Sequence, residues 1–379
     1  MPFLGGARAG VDPFVTMADS ALAAWSAALG GSRAVVPVVG LGDSIMTGRK
    51  ATNFAGTSFW QRTMAALKAR YGDAGQHLYC CCDSTDAVLG APTVCDLPAG
   101  AWAFAGGGWA MSLGGLGGRC VGSATAAATA TCTFVGTSFD LWLSLNGAGG
   151  PFTATIDGQA IDASGVVGGG GGNPTSAGAA GPAKVFSVAG LAPGAVHTLV
   201  LTVLANVVYV SGLTAYSGRP GILSCRFAKG GQSFYDTVKN ASVGDGLKGA
   251  VENFAPAPRL VVCQHLINDV QQGNAYSVFE DGLRRLYDSA VAAQASVVHL
   301  VPYVGPQSAL SGQPRMHRAL EKVYLLAQRY GSAVVDMNMA WEALAPAYVG
   351  STLLAGDGVH PSDAGHADIA QRLLAVIAP

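Results

Sequence analysis

The chain has 379 residues, half of them apolar, and balances 22 Lys and Arg against 23 Asp and Glu. That length accommodates two domains, the apolar fraction excludes intrinsic disorder, and the even charge argues against nucleic-acid binding, which goes with a basic excess. Only 12% of residues are charged while 53 are Gly, so much of the surface must consist of small, neutral side chains in tight turns and short strands.

Residues 1–33 read as an N-terminal extension. They lack a basic segment followed by an unbroken apolar run, so no secretory signal is evident. Ala34–Leu41 is a β-branched strand, and Phe59–Tyr71 has helical spacing with Trp60, Met64, Leu67 and Tyr71 on one face. From about 76 to 218 the texture changes to Gly, Thr, Ser and Val without helical periodicity. Short strands are expected at 127–134, 138–145, 152–156, 185–188, 197–203 and 207–213, with Asp157-Gly158 as a hairpin turn. Such spacing suggests an inserted β-sandwich or jelly roll. Its glycine run, Gly168–Gly172, lacks the Lys-Ser/Thr of a phosphate loop and reads as a flexible loop.

The strand–helix rhythm returns at 219. Strands are expected at Ile222–Ala228, Leu260–His265, Ser296–Tyr303 and Ala333–Met337, and helices at Tyr276–Ala295, Met316–Tyr330 and Asp363–Ile377. Such alternation implies a parallel sheet covered on both faces. The economical architecture is a discontinuous α/β domain, 34–75 and 219–379, interrupted by a β-rich insert at 76–218. No apolar run reaches the ~18–20 residues of a membrane span.

Two short segments carry chemistry. Gly42-Asp43-Ser44-Ile45 puts a serine at the carboxyl end of the first strand, where open α/β sheets bind ligands. Gly356-Asp357-Gly358-Val359-His360-Pro361 precedes the last helix. Asp three positions before His lets one loop present both, the carboxylate holding the imidazole in the tautomer that accepts a serine proton. Met46 replaces the last glycine of a Gly-x-Ser-x-Gly elbow, which argues against the α/β-hydrolase fold.

Together these segments resemble the SGNH, or GDSL-type, hydrolases. Two further blocks match: Lys229-Gly230-Gly231-Gln232-Ser233 and Ile267-Asn268-Asp269, each following a strand. The resemblance covers about 34–75 and 221–379 and implies a flavodoxin-like three-layer α/β/α fold. It implies Ser44 as nucleophile, His360 as general base and Asp357 as its orienting carboxylate. The Ser44 and Gly231 N–H groups, with Gly230 as the fallback, and the Asn268 amide would form an oxyanion hole. Leu266 and Ile267 depart from the glycine-containing pattern usual before the asparagine. The expected activity is metal-free and cofactor-free hydrolysis of a short acyl ester, such as an O-acetyl ester, on a carbohydrate. A longer-chain lipase or thioesterase, or a non-catalytic glycan-binding or structural protein such as a phage tail component, is the alternative.

In the insert, Trp102, Trp109 and Trp142 are candidates for stacking on sugar, Trp109 foremost because Gly106–Gly108 precede it. His265 is a further pocket candidate, set against a buried structural role. His366 is expected to face solvent or cap its helix, and His77, His197, His299 and His317 show no partner pattern. No Cys or His spacing suggests a metal. Of eight cysteines, those from Cys80 to Cys132 would pair only in an oxidising compartment, while Cys225 and Cys263 read as buried core.

Overall fold

The computed structural model describes residues 15–16, 20–31, 34–53, 56–80, 102–238, 246–304 and 314–378. Five parallel strands form its centre: Val35–Gly42, Gly221–Ala228, Leu260–Gln264, Ser296–Val301 and Ala333–Asp336. Numbered along the chain as one to five, they lie in the order 2-1-3-4-5. That is the flavodoxin-like order, and its switch point falls between the first and third strands. These strands are near-continuous Val, Leu and Ile runs because both faces are covered. Helices Phe59–Tyr71 and Asp363–Ile377 pack on each other, as do Tyr276–Ala292 and Pro314–Tyr330. No described helix is long and apolar enough to cross a membrane.

Four expected elements of the α/β domain end early, two of them by a single residue, at Gln264 and Asp336. The strand from Ser296 stops at Val301 because Pro302 has no N–H for the ladder. The helix from Tyr276 stops at Ala292, after which Gln294 turns to a φ of 54°. The described parts of the N-terminal extension are built in: Val15 and Thr16 pair with Val335 and Val334, and the buried Trp25 donates its indole N–H to the Ile377 carbonyl at 2.6 Å.

A strand the sequence did not suggest, Asp73–Tyr79, lies parallel to Gly221–Ala228 and antiparallel to Val208–Tyr216. Through it the central sheet runs on into Val208–Tyr216, Ser138–Leu145, Gly181–Ala189, Arg119–Ser123 and Ala110–Leu113. A second, antiparallel sheet is made of Gln159–Ile161, Phe152–Ile156, Val196–Val203, Thr129–Val135 and Trp102–Ala105. The two sheets of the insert share an apolar layer: Phe134 from one meets Phe139 from the other at 5.2 Å between ring centres, and Phe139 meets Phe186. The alternating burial of Thr129–Val135 and Phe152–Ile156 is the period-two signature of one wet and one dry face.

The glycine run is not a free loop. It wraps round Asp162, whose carboxylate accepts the Ser164 hydroxyl at 2.6 Å and the N–H groups of Ser164, Val166 and Gly171 at 2.9–3.3 Å. Cys80, Cys120, Cys132, Cys225 and Cys263 are buried. Cys81, Cys82 and Cys95 lie outside the described residues.

Candidate active site

Three strand ends converge at the switch point. After the first strand, Asp43 caps the short helix Ser44–Thr47, its carboxylate accepting the Ile45 N–H at 2.9 Å. Gln264, at the end of the third strand and fully buried, accepts the Met46 N–H at 3.0 Å. The Ser44 turn is thus pinned from two sides. Ser44, the first helical residue, keeps a backbone N–H with no partner inside the helix.

The Ser44 Oγ lies 2.8 Å from His360 Nε2, across 316 positions of chain. His360 Nδ1 lies 2.9 Å from Asp357 Oδ2. The carboxylate can only accept, so Nδ1 carries the proton and Nε2 presents a lone pair to the serine hydroxyl. Asp357 Oδ1 accepts the N–H groups of Val359 and His360, each at 3.0 Å. The loop itself is clamped: Leu354 bridges Pro361, Ala355 N–H donates to the His360 carbonyl at 2.8 Å, and Ser362 caps the last helix.

Burial pulls the His360 pKa down. Asp357 opposes that, and the positive charges of Arg49 and Lys50 add to it, leaving the imidazole below its ordinary 6.5. Burial pushes Asp357 up, but the two backbone N–H groups and the imidazole outweigh it and hold the carboxyl below its ordinary range. An imidazole that is neutral at physiological pH is ready to take a proton.

After the second strand, Lys229–Gln232 is a tight turn closed by the Gln232 N–H on the Lys229 carbonyl at 3.1 Å. Gly231 stands at its third position with φ of 74°, which a side chain would strain. Gly231, not Gly230, occupies this special conformation, and Gln272 Nε2 donates to its carbonyl at 2.9 Å. After the third strand, Asn268 Nδ2 faces Asp43 Oδ2 at 3.2 Å and the Gln232 carbonyl at 3.1 Å. Asp43 is buried, which raises its carboxyl to about 7, with the Asp269 charge adding to the rise. Asp269 accepts the Phe234 and Tyr235 N–H groups at 2.9 and 3.2 Å, tying the asparagine block to the helix after the glycine turn. Ser44, Asp357, His360, Gly231 and Asn268 therefore all belong to one hydrogen-bonded neighbourhood.

Other expected contacts fall elsewhere. His265 has no exposed surface: its Nε2 lies 3.3 Å from the Thr237 hydroxyl and its ring meets Phe234 edge-on. Burial, with His299 nearby, lowers its pKa to about 3. It is a core side chain and offers substrate nothing to touch. Trp109 is only 7% exposed, gives its indole N–H to the Ala105 carbonyl at 3.0 Å, and packs on Phe104. Trp102 and Trp142 are likewise buried, with their N–H groups on the Leu78 carbonyl and the Thr214 hydroxyl. Burying an aromatic ring gains more than exposing it, provided its polar atom finds a partner.

His366 is buried, not solvent-facing. Its Nδ1 accepts the Phe59 N–H at 3.3 Å, so its Nε2–H donates to the Arg49 carbonyl at 3.3 Å. With Asp363, which accepts Thr52 N–H and the Thr57 hydroxyl at 2.8 Å each, it fastens the last helix to the loop after Ser44. His197 pairs with Asp157 at 2.7 Å, a partnership across forty positions that spacing does not reveal. Gln264 and Gln232 were also missed. Their only signal is an amide side chain at a strand end or beside a glycine turn.

A small apolar cavity of about 10 Å³ is walled by Ile45, Leu300, Tyr303, Met337, Trp341 and Val359 among others. That is room for about one water.

Residues 204–367 match the GDSL-like lipase/acylhydrolase family. The match takes in Gly231, Asn268, Asp357 and His360 and starts after Ser44. A solved structure described as a peptidoglycan O-acetylesterase in action superposes over 96% of this chain and 97% of its own, with TM-score 0.64 and 15% identity. The two share a fold. An acetyl xylan esterase from Geobacillus stearothermophilus overlaps 41% of this chain and 73% of its own, at TM-score 0.33 and 23% identity. No curated protein matches the chain.

Proposed function

We propose that the chain, whose residues 204–367 match the GDSL-like lipase/acylhydrolase family, is a carboxylic ester hydrolase of the GDSL, or SGNH, type: a serine esterase removing short acyl groups, acetyl foremost, from a carbohydrate. The observation that carries this reading is the unbroken line from Ser44 Oγ to His360 Nε2 at 2.8 Å and from His360 Nδ1 to Asp357 Oδ2 at 2.9 Å. Ser44 attacks the ester carbonyl while His360 takes its proton. The resulting imidazolium is stabilised by Asp357 and returns the proton to the leaving alcohol. The acyl group stays on Ser44 until water, activated by His360, releases it.

Negative charge gathers on the carbonyl oxygen during both steps. The Ser44 N–H, the Gly231 N–H and the Asn268 amide are the donors assigned to it, each worth about 3–4 kcal/mol when preorganised. Asn268 would keep one hydrogen on the Gln232 carbonyl and give the other, held by Asp43 Oδ2, to the oxyanion. The shared fold of the peptidoglycan O-acetylesterase structure makes acetylated glycans the first natural substrates to try.

The test is hydrolysis of p-nitrophenyl acetate, butyrate and octanoate by the wild type and Ser44→Ala. Acetate is expected to be cleaved best, with no turnover in the variant. A folded Ser44→Ala protein as active as the wild type would dismiss the serine mechanism, and preference for octanoate would dismiss the short-acyl assignment.

A further inference from the structure

One buried residue, through its side chain and its backbone, joins the glycine turn, the asparagine block and the insert. Gln232 is 1% exposed. Its Nε2 donates to the Gly117 carbonyl at 2.7 Å and to the Thr237 hydroxyl at 2.8 Å. Its backbone N–H closes the 229–232 turn, and its own carbonyl accepts from Asn268 Nδ2 at 3.1 Å. Gly117 belongs to the insert, in the short turn Leu116–Gly118, with a φ of 65°. A Cβ there would stand 2.3 Å from the Phe227 Cβ, so the insert backbone lies directly against the strand that leads into the glycine turn. The adjoining Arg119 pairs with Asp236 at 3.2 Å, both side chains largely buried.

We propose that Gln232 is a positioning residue for the oxyanion hole, anchoring the Gly231 turn and the Asn268 amide to the Gly117 carbonyl of the insert. On this view the insert is part of the catalytic apparatus rather than an appendage to it. The inference rests on the oxyanion assignment made above. Its physical basis is that a donor stabilises a developing charge only if it is already in place. The exposed Gly231 has no side chain with which to hold itself there.

Gln232→Met keeps the volume of the side chain and removes both donors. With p-nitrophenyl acetate, kcat is expected to fall at least about tenfold at unchanged KM, the signature of an interaction made only in the transition state. The acid limb of the pH profile should not move, because His360 is untouched, and near-ultraviolet circular dichroism should be unchanged. Combined with Asn268→Ala, the losses should be less than additive, since both act through one amide. Additive losses, or wild-type kcat in Gln232→Met beside an impaired Asn268→Ala, would overturn the proposal. Full activity in Asn268→Ala would instead remove the oxyanion assignment beneath it. If Gln232→Met does not fold, Thr237→Val, which deletes one of the two acceptors, serves in its place. A smaller kcat loss is expected there, and an unchanged kcat overturns the proposal.

Discussion

Asp357→Asn puts the sharpest strain on the proposed triad. The carboxylate uses Oδ2 for the imidazole Nδ1–H and Oδ1 for two backbone N–H groups. An asparagine has one acceptor oxygen for these two duties. If that oxygen keeps the backbone pair, the NH₂ group faces Nδ1, which must then accept. The imidazole proton moves to Nε2, the atom that has to receive the Ser44 proton. Loss of a charge-assisted hydrogen bond is worth about 1.5–3 kcal/mol, or roughly tenfold to 150-fold in rate. A full tautomer reversal in a buried triad reaches about 10⁴-fold. The Asp357 side chain is 31% exposed, so water replaces part of what is lost, and a fall of about a hundredfold in kcat/KM is expected. The pH profile supplies an independent sign. Asp357 raises His360 against the effect of burial, so without it the acid limb must move to lower pH while the plateau drops. Initial rates on p-nitrophenyl acetate from about pH 5 to 9 report both quantities. An unchanged plateau, or a limb displaced to higher pH, would refute the argument.

In the wild type, activity should rise with pH on a single ionisation whose midpoint lies below 6.5, because burial disfavours the imidazolium; a midpoint above 7 would count against His360 as the base. Trp109→Ala should destabilise the protein by about 3–5 kcal/mol in urea unfolding and leave KM for acetylated glycan unchanged, since the ring is core; raised KM at unchanged stability would reverse that assignment. Stability should also decline toward acid. His77 and His265 are pushed down to about 3 and His299 and His366 to about 4, each chiefly by burial, so their contributions are present above 6.5 and lost as pH falls. Asp43 at about 7 and Asp269 at about 6 act oppositely, favouring the fold below their unfolded pKa and losing that contribution as pH rises. The depressed histidines outnumber these two raised carboxylates, so the unfolded chain binds more protons near pH 5 and the net effect is a loss of stability on acidification. Urea midpoints that increase on acidification from pH 6 to 5 would contradict this.

Much of the architecture could be read directly. Helix 59–71 and helix 363–377 begin and end where their periodicity and caps place them. Strands 138–145 and 152–156 likewise follow from alternation and turn residues. Strand 73–79 could not be read. Asp73-Ala74-Gly75-Gln76-His77-Leu78-Tyr79 has no β-branched residue, and the backbone is extended there because two neighbouring strands satisfy its N–H and C=O groups. Trp109 was misjudged because three glycines suggest an open loop, whereas Phe104 and the Ala105 carbonyl supply a packing partner and an acceptor. His265 and His366 show the same limit: burial of a polar side chain depends on neighbours that local sequence does not name.

By itself the sequence determined the strand–helix alternation, the serine, glycine and asparagine segments at the ends of strands and the Asp-x-x-His segment before the last helix, because hydrophobic period and turn chemistry act over a few residues. Tertiary structure alone decided that the sheet runs unbroken into the insert. It alone brought Ser44 within 2.8 Å of His360 and set Gln232 against Gly117. Those contacts join residues 316 and 115 positions apart. They depend on the register of parallel strands and the packing of buried faces, which exist only once the chain has closed on itself.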